Sequence, residues 1–196
     1  MRKLKLIIAL AMIVSWTLAA CTPAATPTAP AVAPTTVAPT QPPANGASAS
    51  TGPQNATYLI DGKQVTLVNG FAETEAAPGS ATKVTTKYFG NAVDVDLNAD
   101  GLMDSGFLLT QEGGGSGTFF YVAAALQQSG GSYQGTNAIF IGDRIAPQST
   151  NVDPNNPAQF IVNYADRKPD EPMSAQPSVA VSRTFKLDQG SLAEVK

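Results

Sequence analysis

Tyr58-Leu59-Ile60-Asp61-Gly62-Lys63-Gln64-Val65-Thr66-Leu67-Val68 decides the fold. Two runs rich in β-formers flank Asp61-Gly62, and Asp-Gly between such runs is a strong signal for a tight β-hairpin. Asn69-Gly70 supplies the next turn signal. Far downstream, Val179, Val181, Arg183, Phe185 and Leu187 alternate with Ala180, Ser182, Thr184 and Lys186. That period of two belongs to a strand with one buried face. Between these landmarks, short apolar runs broken by Gly, Asn, Asp and Pro predict strands over residues 83–89, 92–97, 106–110, 118–126, 138–141 and 159–164. No long stretch carries a convincing 3.6-residue period, and no fixed-period repeat is present. Residues 122–128 can form one short helix instead, because Ala123-Ala124-Ala125-Leu126 favours it. The expected fold is a single, mainly β, largely antiparallel domain over residues 56–196; a helix at 122–128 would shift the class to α+β. About 140 residues is an ordinary size for one domain.

Upstream of this domain the composition changes. Residues 22–53 are dominated by Pro, Ala and Thr, with no charge and almost no large apolar group, so they cannot form a core. Recurrent Pro favours polyproline II, and about 30 such residues reach on the order of 90 Å when extended. Residues 21–55 therefore read as a tether.

Ahead of the tether, Arg2, Lys3 and Lys5 form a basic cluster, followed by an apolar stretch from Leu6 to Ala20. The stretch is shorter than the roughly 20 residues of a membrane-spanning helix. It has the form of a secretory signal over residues 1–20. Its end, Leu18-Ala19-Ala20-Cys21, resembles the lipobox of bacterial lipoprotein signals. That resemblance implies cleavage before Cys21 and lipidation of its thiol. Cys21 is the single Cys of the chain, so it has no intramolecular disulfide partner. Stable membrane attachment takes more than one acyl chain, and lipoproteins of this type usually carry several.

Loss of the signal leaves nine basic against 15 acidic residues, a charge of −6. That balance argues against a general nucleic-acid or anionic-lipid surface. The expected partners are the membrane, through the lipid, and an unidentified protein or cell-wall component.

One motif carries metal chemistry. Asp96-Leu97-Asn98-Ala99-Asp100-Gly101-Leu102-Met103-Asp104 reads D-x-N-x-D-G-x-x-D. Calcium takes six to eight oxygens at about 2.3–2.6 Å. Asp96, Asn98 and Asp100 can converge on one point when the loop curls, Gly101 permits the sharp turn, the Leu102 carbonyl adds a backbone oxygen and Asp104 closes the shell. The nine positions match the start of an EF-hand loop. The twelfth is Phe107 where that loop needs Glu, and the predicted flanks are strands. The arrangement is similar to the calcium loops that join β-strands in propeller-type and adhesin-type repeats, with Ca2+ in a structural role. An Asx-rich hairpin turn without metal is the simpler alternative.

Gly113-Gly114-Gly115-Ser116-Gly117-Thr118 lacks the Lys of a P-loop and the final Gly of a nucleophile elbow, so it reads as a flexible hairpin loop. The chain contains no His, which excludes Ser-His and Cys-His nucleophilic catalysis and His-ligated zinc. Asp170 and Glu171 sit in the Pro-stiffened run Arg167-Lys168-Pro169-Asp170-Glu171-Pro172, where solvated charges are expected. Asp143-Arg144 reads as a turn with a local ion pair. No catalytic residue is assigned.

Four motifs together resemble a group of bacterial envelope proteins: the acidic loop at 96–104, G-G-S-G-T-F at 114–119, G-D-R at 142–144, and R-K-P-x-E-P-M at 167–173. The resemblance implies a shared fold and an extracytoplasmic, lipid-anchored location, and carries no activity. Two function classes follow. One is a non-enzymatic envelope domain that binds a partner or supports the cell surface. The other is a periplasmic inhibitor or sensor, similar to lysozyme-inhibitor lipoproteins, whose acidic charge suits a basic lysozyme.

Overall fold

The computed structural model describes residues 52–196. Residues 1–51, with the predicted signal, Cys21 and most of the tether, lie outside the described residues. Twelve strands follow a single 3-10 turn at Pro53–Asn55: β1 Thr57–Ile60, β2 Lys63–Thr66, β3 Phe71–Glu75, β4 Lys83–Val95, β5 Asp104–Glu112, β6 Phe119–Gln127, β7 Tyr133–Gly135, β8 Ile139–Asp143, β9 Ala146–Asp153, β10 Asn156–Asp166, β11 Val179–Asp188 and β12 Ser191–Glu194. The fold is mainly β, and its strand ladders are antiparallel.

The Asp61-Gly62 hairpin forms as its residues dictate. Thr57 pairs with Thr66 and Ile60 with Lys63, and both turn residues have positive φ, 48° for Asp61 and 76° for Gly62. That is the mirror-image turn whose twist matches its strands. The central sheet runs β3-β4-β5-β6-β7, with β8 also pairing on β6; a second sheet runs β12-β11-β10-β9.

β5 and β6 form the spine of the molecule. One face of the pair, through Leu108, Phe120, Val122, Ala124 and Leu126, packs against Phe160, Val162, Tyr164 and Phe185 of the second sheet. The other face, through Phe107, Leu109, Tyr121, Ala123 and Ala125, is covered by Tyr58, Ile60, Val65 and Leu67 of the first hairpin and its flank. A strand buried on both faces needs apolar residues at successive positions, so alternation disappears.

This corrects the helix expected over 122–128. The segment is strand β6, and among the described residues the sole helical element is the Pro53–Asn55 turn. Ala prefers a helix over a strand by well under about 1 kcal/mol per residue. Ladders to β5, β7 and β8 and burial in two separate cores outweigh that preference. A second difference lies in β4. The predicted strands 83–89 and 92–97 are one continuous element, with register shifts between Tyr88 and Gly90 and between Gly90 and Val93. Gly90 and Asn91 absorb the irregularity with φ of 95° and 51°.

Candidate functional site

The acidic loop joins β4 to β5. Asp96 accepts from two backbone groups, with Oδ1 taking the Asp100 N–H at 3.2 Å and Oδ2 the Gly101 N–H at 3.0 Å. Asn98 Oδ1 also accepts from the Asp100 N–H at 3.1 Å, and its Nδ2 donates to Asp100 Oδ2 at 2.9 Å. Asp100 Oδ1 takes the Leu102 N–H at 2.8 Å. These are Asx turns, in which a short polar side chain stands in for a backbone acceptor. Ala99 and Gly101 take positive φ, 59° and 86°, so that the chain can curl around them.

Asp104 behaves differently. It is fully buried, at 0 % exposure. Its Oδ2 takes the Leu97 N–H at 3.0 Å and its Oδ1 the Gln127 N–H at 2.8 Å, so one carboxylate ties the loop to the end of β6. Burial raises the Asp104 carboxyl above its ordinary value; the Gln127 and Leu97 N–H groups oppose that shift, and the charges of Asp100 and Asp96 add to it. The structure thus gathers Asp96, Asn98, Asp100 and the Leu102 backbone into one turn, while Asp104 faces inward to backbone donors. In this arrangement, no group of three or more His, Cys, Asp or Glu residues among the described residues is assembled as a metal cluster.

The other end of the β5–β6 hairpin brings three of the four motifs of the sequence together, those at 114–119, 142–144 and 167–173. The Thr118 N–H donates to Asp143 Oδ1 at 2.9 Å, and the Arg144 N–H returns to the Thr118 carbonyl at 2.7 Å. Asp143 and Arg144 form the expected local ion pair, with Nη2 and Oδ2 3.0 Å apart. Arg167 Nη1 donates to the carbonyls of Asp143 and Arg144 at 3.2 and 3.0 Å, and its Nε donates to the Ala175 carbonyl. Glu171 accepts from the Lys168 N–H at 3.0 Å, and Asp170 is exposed. Solvated charges were expected in this run; Asp170 is exposed, whereas Arg167 is partly buried and ties the run to the Asp143-Arg144 turn.

Beside this junction stands a row of aromatic rings that the sequence analysis did not single out. Tyr121 and Phe140 meet edge to face at 5.5 Å, and Phe119 lies 6.3 Å from Phe140. Phe119 is 39 % exposed and Phe140 48 %. The Tyr121 hydroxyl donates to Asp61 Oδ2 at 2.8 Å, which fastens the tip of the first hairpin to β6. One signal was available. Phe119 is the first residue of its strand, next to the glycine-rich loop, and an apolar residue at a strand end is a candidate for exposure even on a face that is covered further along.

No family model, curated protein or solved structure matches the chain.

Proposed function

We propose that this chain is a lipid-anchored protein of the bacterial cell envelope, held by Cys21, whose β domain has a binding or structural role and whose 96–104 loop is stapled by calcium. The observation that carries the location is Leu18-Ala19-Ala20-Cys21 behind Arg2, Lys3 and Lys5. A binding role is supported by the chemistry of the two loop ends. Their charged groups are spent on backbone donors and acceptors, while Phe119 and Phe140 face solvent. Exposed aromatic rings rimmed by polar residues mark interaction sites. The expected partner is a protein or a cell-wall component outside the cytoplasmic membrane.

Calcium is supported by the density of oxygens. Three carboxylates and one amide fall within nine residues, and the charges of Asp96 and Asp100 already disfavour ionised Asp104. A divalent cation would remove that repulsion. The ion competes with the backbone N–H groups for the same oxygens, which fits the weak affinity, roughly 10⁻⁴–10⁻³ M, of extracellular calcium modules.

The test of the anchoring is Cys21→Ser expressed in a bacterial host. The variant leaves the membrane fraction and appears in the soluble extracytoplasmic fraction. Unchanged membrane fractionation overturns the reading.

A further inference from the structure

On the face of the central sheet that the first hairpin covers, the cover stops at Asp61-Gly62. The sheet continues past that tip. Cross-strand pairing sets Gln111 beside Thr86 and Phe119, two residues beyond Leu109 and Tyr121 on the same face. The result is an open cleft of about 340 Å³ lined by Asp61, Val84, Gln111, Gly113, Phe119 and Tyr121. Around the tip it meets a second hollow of about 200 Å³, reaching Lys63 and Thr74, with Asp61, Val84 and Gln111 common to both.

The cleft is furnished as well as open. Phe119 is seated against bare backbone, because a Cβ at position 117 would stand 2.9 Å from Phe119 Cζ. Next to it, Thr118 is fixed by Asp143. The G-G-S-G-T-F and G-D-R motifs therefore hold one aromatic ring in place. Asp61 projects from a left-handed turn position, with one oxygen occupied by the Tyr121 hydroxyl and Oδ1 without a partner among the described residues. Burial, then the bond to Asp61, push the Tyr121 phenol well above its ordinary value, so it stays a donor to that carboxylate. Gln111 gives its amide nitrogen to Thr86 Oγ1 at 3.0 Å, which leaves its carbonyl oxygen for a ligand.

This set is one aromatic platform and two free acceptors, with no cation lining the 340 Å³ cleft; the Lys63 ammonium of the adjoining hollow is turned to the Ala76 carbonyl. An anionic ligand would be desolvated without a counter-charge. A ligand with an apolar face and several hydroxyl donors satisfies every group present. We propose that the shelf binds a neutral pyranose unit of a glycan, its C–H face on Phe119 and its hydroxyls donating to Asp61 and Gln111. The proposal rests on the envelope reading above only for the source of the glycan, not for the chemistry of the site.

The test is calorimetric titration of the full-length protein, held in a sugar-free detergent, with an N-acetylglucosamine trimer and with cellotriose. At least one sugar binds in the millimolar range or tighter. Phe119→Ala weakens that binding by about tenfold or more, and Asp61→Asn by about fivefold, as expected for loss of a stacking surface and of a charged acceptor. Phe71→Ala serves as the control, since Phe71 is also exposed but alternates away from the buried Ala72 on β3, and it leaves affinity unchanged. Should Phe119→Ala unfold, Asp61→Asn at an exposed turn carries the same test. Silence with both sugars overturns the proposal, as does binding indifferent to both substitutions. So does capture, in place of sugars, of a peptide copying the Pro-rich residues 34–46. The titration involves no membrane, so its failure leaves the Cys21 anchor standing, and failed anchoring leaves the shelf standing.

Discussion

At the β4–β5 end of the spine, the polar side chains of the loop find most of their partners two to seven residues away. At the β5–β6 end the partners are distant: Thr118 and Asp143 are separated by 25 positions, Arg167 reaches carbonyls 23 and 24 positions back, and Tyr121 reaches Asp61 across 60. Both ends are rich in turn-forming and charged residues, with aspartates at the first and glycines, Asp143 and two arginines at the second, yet only the first looks like a site when the chain is scanned in order. A locally closed network leaves its whole pattern in one stretch of sequence. A network assembled from three loops leaves fragments, each of which reads as an ordinary turn.

The comparison can be broken most forcefully at Asp104, the one member of the acidic loop with a distant partner. Asp104→Ala orphans the buried N–H of Leu97 and the partly buried N–H of Gln127. Each unsatisfied group costs about 1–3 kcal/mol, so a loss of about 3 kcal/mol is expected in denaturant unfolding. A loss below about 1 kcal/mol would mean that Asp104 does not hold the acidic end. At the opposite end, Asp143→Ala removes the Thr118 cap and the Arg144 pair. Both are partly exposed, so about 1–2 kcal/mol is expected. Hydrogen exchange should quicken in 113–118 and 142–145 while the acidic loop stays protected; faster exchange at both ends would show that they are not independent.

The smallest effect concerns acid. Arg183 donates from Nη1 to the Phe140 carbonyl and pairs with Glu194 through Nε and Nη2, which ties β11 and β12 to the strand that carries Phe140. The hydrogen bond from Arg183 lowers the Glu194 pKa below its ordinary 4.5, with the Arg183 charge adding to it and partial desolvation opposing it. A depressed folded value means that the stabilisation is present above the unfolded value and is lost as pH falls through the folded one. Glu194 is about one-third exposed, so solvent screening keeps the contribution below about 1 kcal/mol. Unfolding curves of the parent and Glu194→Gln should differ at pH 6 and converge near pH 3. A constant difference across that range would assign the effect to packing.

The same contrast of ranges explains how much of the fold was legible. Asp61-Gly62 specified its own hairpin. The alternation from Val179 to Leu187 matches β11, where Phe185 is buried and Val181 and Leu187 pack against the core. β6 was ambiguous because its run Phe119–Gln127 faces two cores, and nothing in a short apolar run with three alanines tells a doubly buried strand from a helix. β9 was invisible for the opposite reason. Its run Ala146–Asp153 has no apolar alternation, and it is ordered by pairing to β10. In the acidic loop the motif was plain, but the inward turn of Asp104 depends on Gln127, 23 positions away. The aromatic shelf depends on where the first hairpin ends over the sheet, which is a tertiary fact.

The central claim, that the 96–104 loop holds calcium as a structural staple, is tested most directly by thermal unfolding of the full-length protein in detergent. Four samples suffice: the parent and Asp100→Ala, each with millimolar calcium and with chelator. Binding to the folded state alone adds RT ln(1 + [Ca]/Kd), about 2.7 kcal/mol at one hundred times Kd and correspondingly less nearer Kd. The account predicts a higher melting temperature for the parent with calcium than with chelator, and little or no calcium shift for Asp100→Ala. Identical melting curves for the parent in calcium and in chelator would contradict it, and would leave the loop as the self-satisfied Asx turn that its hydrogen bonds describe.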